Sequence, residues 1–298
     1  MEKKYIVLGL DFMILSLLYL LLYSSNINLT YISEFQASLI SILPFFPPEK
    51  ILISLAPLLL YSISLILLLS FLYITTALSE LGRLKLSLAI PLVIFPYFFN
   101  FSVSAMFLSA GIFVSLLISE KLGKIYLDEI RDYRKFRFGI KLSAKLLFIT
   151  YSIFCLGIFL QLSMNESYAC LFLNESLNRT AVLMSSQYKY FLPEKESLIN
   201  LQLEMIKQNY NITDEERLKL IRRELEKNYN KTLMLNESQI RKILLTNFKN
   251  SELAEITVRY YPILTALIIY SILSALSFLS APFFALFSCI LFKIFKEE

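Results

Sequence analysis

The chain has 298 residues, of which 56% are apolar, and its mean hydropathy is +0.60. One soluble core of this length would not bury so much apolar surface, so the composition excludes a soluble globular protein and predicts an integral membrane protein. The net charge of +5 does not indicate a nucleic-acid surface, because residues 164–257 hold 13 basic and 13 acidic side chains and the excess cations flank apolar segments.

Histidine is absent and the three cysteines are far apart in the sequence. Imidazole is therefore excluded as a metal ligand, general base or haem ligand, and the cysteines offer no metal cluster. No glycine-rich nucleotide-binding motif occurs either. We predict no metal, no cofactor and no enzymatic activity for this chain.

The first predicted span covers residues 5–23, directly after the basic start Lys3-Lys4. At ~1.5 Å per residue it is long enough to cross the ~30 Å hydrocarbon layer. No small-residue cleavage site follows it, so we interpret it as a retained span with a cytoplasmic N-terminus. A second span, 51–78, returns the chain to the cytoplasmic side.

The next apolar block, 86–118, is too long for one ordinary span, and a single helix would place the basic loop after it outside. A hairpin with arms 86–99 and 102–118 removes this conflict with the rule that cationic loops stay inside. Pro91 and Pro96 make the first arm irregular or only partly spanning. The loop 119–140 is then cytoplasmic, and segment 141–163 crosses outward. These five segments form a membrane domain, 1–163.

Residues 164–257 are the longest polar segment and carry helix signals throughout. Pro193 opens one helix, and Thr213 with Glu216 three residues later forms a capping box for another. Apolar residues recur at helical spacing on one face, as in Leu198/Leu201/Met205 and Leu218/Ile221/Leu225. We predict an extracytoplasmic helical domain here.

The C-terminal block 258–298 is again long for one span, and Ser280-Ala281-Pro282 predicts a break within it. A single kinked span gives six membrane segments and a hairpin gives seven, and both alternatives stay open. The predicted fold class is all-α, a polytopic membrane helix bundle of six or seven segments with an inserted extracytoplasmic helical domain.

Eight Asn-x-Ser/Thr triplets begin among only 14 asparagines, where chance would give about two such glycosylation acceptors. No triplet lies in a basic segment, which favours an external, glycosylated side. The triplet at Asn100 lies too close to the membrane to be modified. The predicted acceptors are Asn28, Asn165, Asn174, Asn178, Asn211, Asn230 and Asn236.

Asp11 is the only acid well inside a predicted span, where an unpaired carboxylate is costly. One interpretation is a cation or proton site in a transporter. The other is an interhelical ion pair near the inner surface with Lys145, Lys85 or Arg83. Asp11 and Lys145 are the candidate intramembrane charge site.

The basic loop alternates aromatic and cationic residues, which predicts contact with anionic lipid or a protein partner. Its candidate contact residues are Arg131, Arg134, Lys135 and Arg137. Small and hydroxyl residues recur at helical spacing in the spans, and they predict close helix packing or, alternatively, the lining of a pore. Examples are Ala105/Ser109, Gly111/Ser115, Ser271/Ala275 and Ser277/Ala281.

These features favour a non-catalytic, multi-pass component of the cell membrane that has a structural or partner-binding role at the cell surface. Its expected partners are membrane lipid and, through residues 164–257, another protein or a second copy of the chain, but not nucleic acid. The alternative is a permease, channel or accessory subunit for a small solute or lipid, which Asp11 and the hydroxyl residues motivate.

Overall fold

The computed structural model describes residues 2–24, 29–42, 48–79, 81–100, 102–130, 133–191, 195–210, 215–232, 242, 246–247 and 251–295. All regular structure among these residues is helical, in agreement with the predicted all-α class. Five of the helices are long and apolar enough to cross a membrane, so by length and composition this is a membrane protein.

The helices follow one another with short connections. They are α1 (Glu2–Ser24), α2 (Leu29–Ile42), α3 (Pro48–Ser79), a 3-10 helix (Gly82–Leu88), α4 (Ala89–Phe98), α5 (Val103–Glu129), α6 (Arg134–Met164), α7 (Ser167–Phe191), α8 (Lys195–Tyr210), α9 (Glu215–Thr232), α10 (Glu252–Leu279) and α11 (Ala281–Phe295). The five helices with membrane-spanning length are α1, α3, α5, α6 and α10. The helix predicted over 237–249 lies almost wholly outside the described residues.

The first arm of the predicted hairpin is shorter and more irregular than an ordinary span. The chain forms the 3-10 helix and then α4, which has only 10 residues. Pro91 fits the first turn of α4, where its missing N–H would have no intrahelical partner, while Pro96 lies inside the helix. The reversal into α5 is at Asn100, where the sequence predicts a turn. Its φ of 50° is a left-handed conformation that asparagine tolerates.

The predicted loop 119–140 is mostly helical. Helix α5 continues to Glu129 and α6 begins at Arg134. The prediction ended α5 at residue 118 because the apolar run ends there. Lysine, glutamate and leucine are good helix formers, so the helix continues after the residues stop being apolar. The break predicted at Ser280 does separate α10 from α11, and Pro282 lies in the first turn of α11.

The chain divides into two compact units. The first comprises residues 1–33, 46–170 and 257–298, and the second comprises 34–45 and 171–256. The second unit therefore contains most of the predicted domain 164–257, together with a short segment from near the N-terminus.

Glycines allow close helix contacts in the first unit. At Gly139 of α6, a Cβ atom would meet the carbonyl oxygen of Phe284 and the Cβ of Ser288, both on α11. At Gly111 of α5, a Cβ would lie 3.0 Å from the carbonyl oxygen of Thr150 on α6. Small residues let helix backbones approach where lipid gives no hydrophobic drive for helix association.

Candidate functional site

Asp11 lies near the middle of α1, and its side chain is completely buried in the first unit. The neighbouring core contains fully buried aliphatic side chains such as Leu15 and Leu72. A carboxyl group in this position needs polar partners, because burial without hydrogen bonds is costly.

Two adjacent threonines of α3 are the partners of Asp11 among the described residues. The Thr75 hydroxyl oxygen lies 2.7 Å from Asp11 Oδ1, and the Thr76 hydroxyl oxygen lies 3.4 Å from Oδ2. Both hydroxyls also lie within hydrogen-bond distance of the Leu72 carbonyl oxygen, at 2.8 Å and 2.7 Å. A cluster of oxygen atoms therefore joins α1 to α3 inside the membrane unit.

The cations that the sequence offered as partners of Asp11 make other contacts. Lys85 lies 3.3 Å from Glu120 on α5 and donates to the Leu117 carbonyl oxygen. The Lys145 ammonium lies 5.8 Å from the centre of the Phe148 ring, and Arg83 is exposed. The structure does not bring Asp11 and Lys145 together into a charge pair within the described residues.

A second polar cluster joins three helices of the first unit. The Thr150 hydroxyl on α6 lies 2.6 Å from the Tyr73 hydroxyl on α3 and 2.9 Å from the Ser115 hydroxyl on α5. All three side chains are fully buried. Nearby, the Tyr151 hydroxyl of α6 lies 3.0 Å from that of Ser277 on α10. These hydroxyls bond one another across helix contacts and are not exposed to a water-filled space.

The basic residues predicted to contact lipid or a partner lie at the start of α6. Arg134, Lys135 and Arg137 are exposed, and Arg131 falls outside the described residues. Aromatic side chains lie among them, since Tyr133 and Phe136 are also exposed. This arrangement of cations and aromatic rings is suited to anionic headgroups at the membrane surface.

The predicted glycosylation acceptors differ in exposure. Asn165 and Asn174 are exposed, and Asn165 follows α6 in an extended conformation. Asn178 lies within α7 with its amide oxygen buried, so a glycan there would require local rearrangement. Asn230 lies in α9 with its side chain undescribed, and Asn28, Asn211 and Asn236 lie outside the described residues.

An apolar stripe on α8 in the second unit is exposed. Leu201 and Met205 are one helical turn apart and are 54% and 55% exposed. The sequence predicts that both face the interior of a helical bundle. The buried side chain of the helix is instead Ile199, with Leu203 and Ile206 half-buried. Leu198, the third residue of the predicted face, has a side chain outside the described set.

Sequence reasoning did not identify Thr75, Thr76 or the Tyr73–Thr150–Ser115 cluster. Two adjacent threonines within an otherwise aliphatic segment of α3 were the available signal for the first group. No comparable signal marks the second, because its members come from three segments far apart in the chain. Comparison with family models, with curated proteins and with solved structures gives no match for this chain.

Proposed function

We propose that this chain is a non-catalytic, multi-pass component of the cell membrane that binds a protein partner through the helices of residues 164–257. The observation that carries the proposal is the exposed pair Leu201 and Met205 on α8. Exposed apolar side chains within a polar surface are typical of protein contact sites. Residues around them supply a polar rim, since Gln202, Glu204 and Lys207 are exposed.

The proposed topology places the N-terminus and the α5–α6 connection in the cytoplasm and residues 164–257 outside. The cations at the start of α6 and the absence of acceptor triplets there support this orientation. The 3-10 helix and α4 support it as well. Their rises of ~2.0 and ~1.5 Å per residue give a combined length of about 29 Å, close to the ~30 Å hydrocarbon layer. That length lets the chain return outside before α5.

The first unit supports a structural role more than a pore. Hydroxyl residues that would line a channel are instead buried in helix contacts, as the bonds among Tyr73, Thr150 and Ser115 illustrate. Pore-lining groups have to be accessible to the solute. Transport of a small solute or lipid remains the alternative function, and Asp11 is the residue on which it would depend.

A photo-cross-linking side chain at position 201 or 205 tests the proposal in intact cells. Asn200 is the matched control, because it is exposed on the same helix but points about 100° away from Leu201. We expect one adduct of defined mass from positions 201 and 205, with little from 200. Mass spectrometry of the adduct identifies either another protein or a second copy of the chain.

The same experiment includes a variant that removes the apolar contact. Met205→Glu should abolish the adduct from position 201, because a charge in the desolvated centre of an interface is costly. Equal adduct yields from 200, 201 and 205, or an adduct unaffected by Met205→Glu, would contradict a specific site at this stripe.

A further inference from the structure

The oxygen atoms around Asp11 are spaced for a shared proton. The Thr75 hydroxyl oxygen is 2.7 Å from Asp11 Oδ1 and 2.8 Å from the Leu72 carbonyl oxygen. Both values are typical of O–H···O hydrogen bonds. Two oxygens that coordinate one cation at ~2.3–2.6 Å and at right angles would be about 3.3 Å apart or more. The cluster is therefore too tight to enclose a metal ion between these oxygens.

A negatively charged Asp11 would be poorly stabilised in this environment. An ionised carboxylate offers about four acceptor sites, and one short bond, from Thr75, reaches it here. The Thr76 hydroxyl is 3.4 Å from Asp11 but 2.7 Å from the Leu72 carbonyl oxygen, so its proton is directed to the carbonyl. The side chain is fully buried in a membrane-spanning helix, where an isolated charge is costly.

No charged group on the helices packed against α1 supplies the missing compensation among the described residues. On the 3-10 helix, Lys85 is bound to Glu120 and Arg83 is exposed. On α3, the Tyr73 hydroxyl is bound to Thr150, and Tyr97 of α4 has an exposed side chain. Asp11 bonds to none of these groups.

A neutral carboxylic acid satisfies the same geometry. The acid proton would be donated from Asp11 Oδ1 to Thr75 Oγ1, and the Thr75 hydroxyl proton would be donated to the Leu72 carbonyl oxygen. The Thr76 hydroxyl donates to that same carbonyl, a common arrangement for threonines in membrane helices. In this state each hydroxyl proton has an acceptor within 2.8 Å and no buried charge remains.

We propose that Asp11 is a proton-binding site, in which the neutral carboxyl group donates its proton to Thr75 and joins α1 to α3. The ligand class is the proton and not a metal cation. This inference does not depend on the partner-binding function proposed above, because it concerns only α1 and α3 of the first unit.

Infrared spectroscopy of the purified full-length protein in detergent tests this site. The C=O stretch of a neutral carboxylic acid is separate from the carboxylate bands. We expect an acid band in the wild-type protein that is lost in Asp11→Asn. Glu120→Gln is the matched control, because Glu120 is paired with Lys85 and should contribute only carboxylate bands.

Variants of Thr75 test the hydrogen bond on a carboxyl group that is still present. Thr75→Val removes the acceptor at nearly constant volume and should shift the acid band to higher frequency, whereas Thr75→Ser should leave it in place. This pair also carries the test if Asp11→Asn does not fold.

Two results would overturn the proposal. The first is that Asp11→Asn loses only carboxylate bands, which would show a charged Asp11. The second is that the acid band of the wild-type protein disappears when sodium chloride replaces choline chloride, which would show a metal cation at the site.

Discussion

Gly139 shows how much one side-chain position contributes to the packing of the first unit. It lies on α6 against Phe284 and Ser288 of α11, and a Cβ there would meet backbone and side-chain atoms of both. The sequence marks several small-residue pairs as packing positions, but Gly139 is not among them. Its role depends on α11, whose residues follow more than a hundred positions later in the chain.

Gly139→Ala should destabilise the folded membrane unit by about 1–3 kcal/mol, because overpacking forces the two helices apart. Gly9→Ala is the matched control. Gly9 is also helical, and a Cβ there would have nothing within 4 Å. We expect a lower thermal unfolding temperature in detergent for Gly139→Ala only. Equal unfolding temperatures for the two variants would contradict the close contact between α6 and α11.

The orientation of α8 shows the limit of periodicity at the scale of one helix. Apolar residues occur at 198, 199, 201, 203, 205 and 206, so the sequence allows more than one apolar face. The prediction chose the face of Leu201 and Met205, and the structure buries Ile199 instead. Neighbouring helices decide between such faces, and their positions are not encoded in the local pattern.

Truncation of the two faces should therefore have different effects. Ile199→Ala should cost about 2 kcal/mol or more, because it leaves a cavity in the second unit. Leu201→Ala should change stability by no more than ~0.5 kcal/mol, as is usual at exposed positions. Hydrogen exchange of the α8 and α9 amides in the full-length protein measures both. Faster exchange in Leu201→Ala than in Ile199→Ala would show that the predicted face was the buried one.

The orientation of the whole molecule in the membrane follows from charge and from the acceptor triplets. Basic side chains cluster at the start of α6, and six of the eight triplets begin between residues 164 and 257. Opposite sides of the membrane account for both distributions. The helix lengths agree with this arrangement, since five helices are long enough to cross.

Expression in a host that glycosylates secreted proteins tests the orientation. Glycosidase treatment should increase the gel mobility of the natural chain. Replacement of all seven predicted acceptors by glutamine should remove that effect. A flexible acceptor cassette inserted after Ile130 should stay unmodified, because it would lie in the cytoplasm. Modification of the cassette, with none at the natural acceptors, would show the reverse orientation.

The sequence by itself determined that this is a helical membrane protein, because hydropathy and helix length are local properties that neighbouring residues decide. It also located the turn at Asn100 and the break at Ser280, since asparagine and proline act on the backbone where they occur. Only the tertiary structure decided the partners of Asp11. Thr75 is 64 positions away from Asp11, and a contact over that separation depends on how α1 packs against α3. The same reason applies to Gly139 and to the exposed face of α8, because helix packing and not local pattern selects which side chains meet.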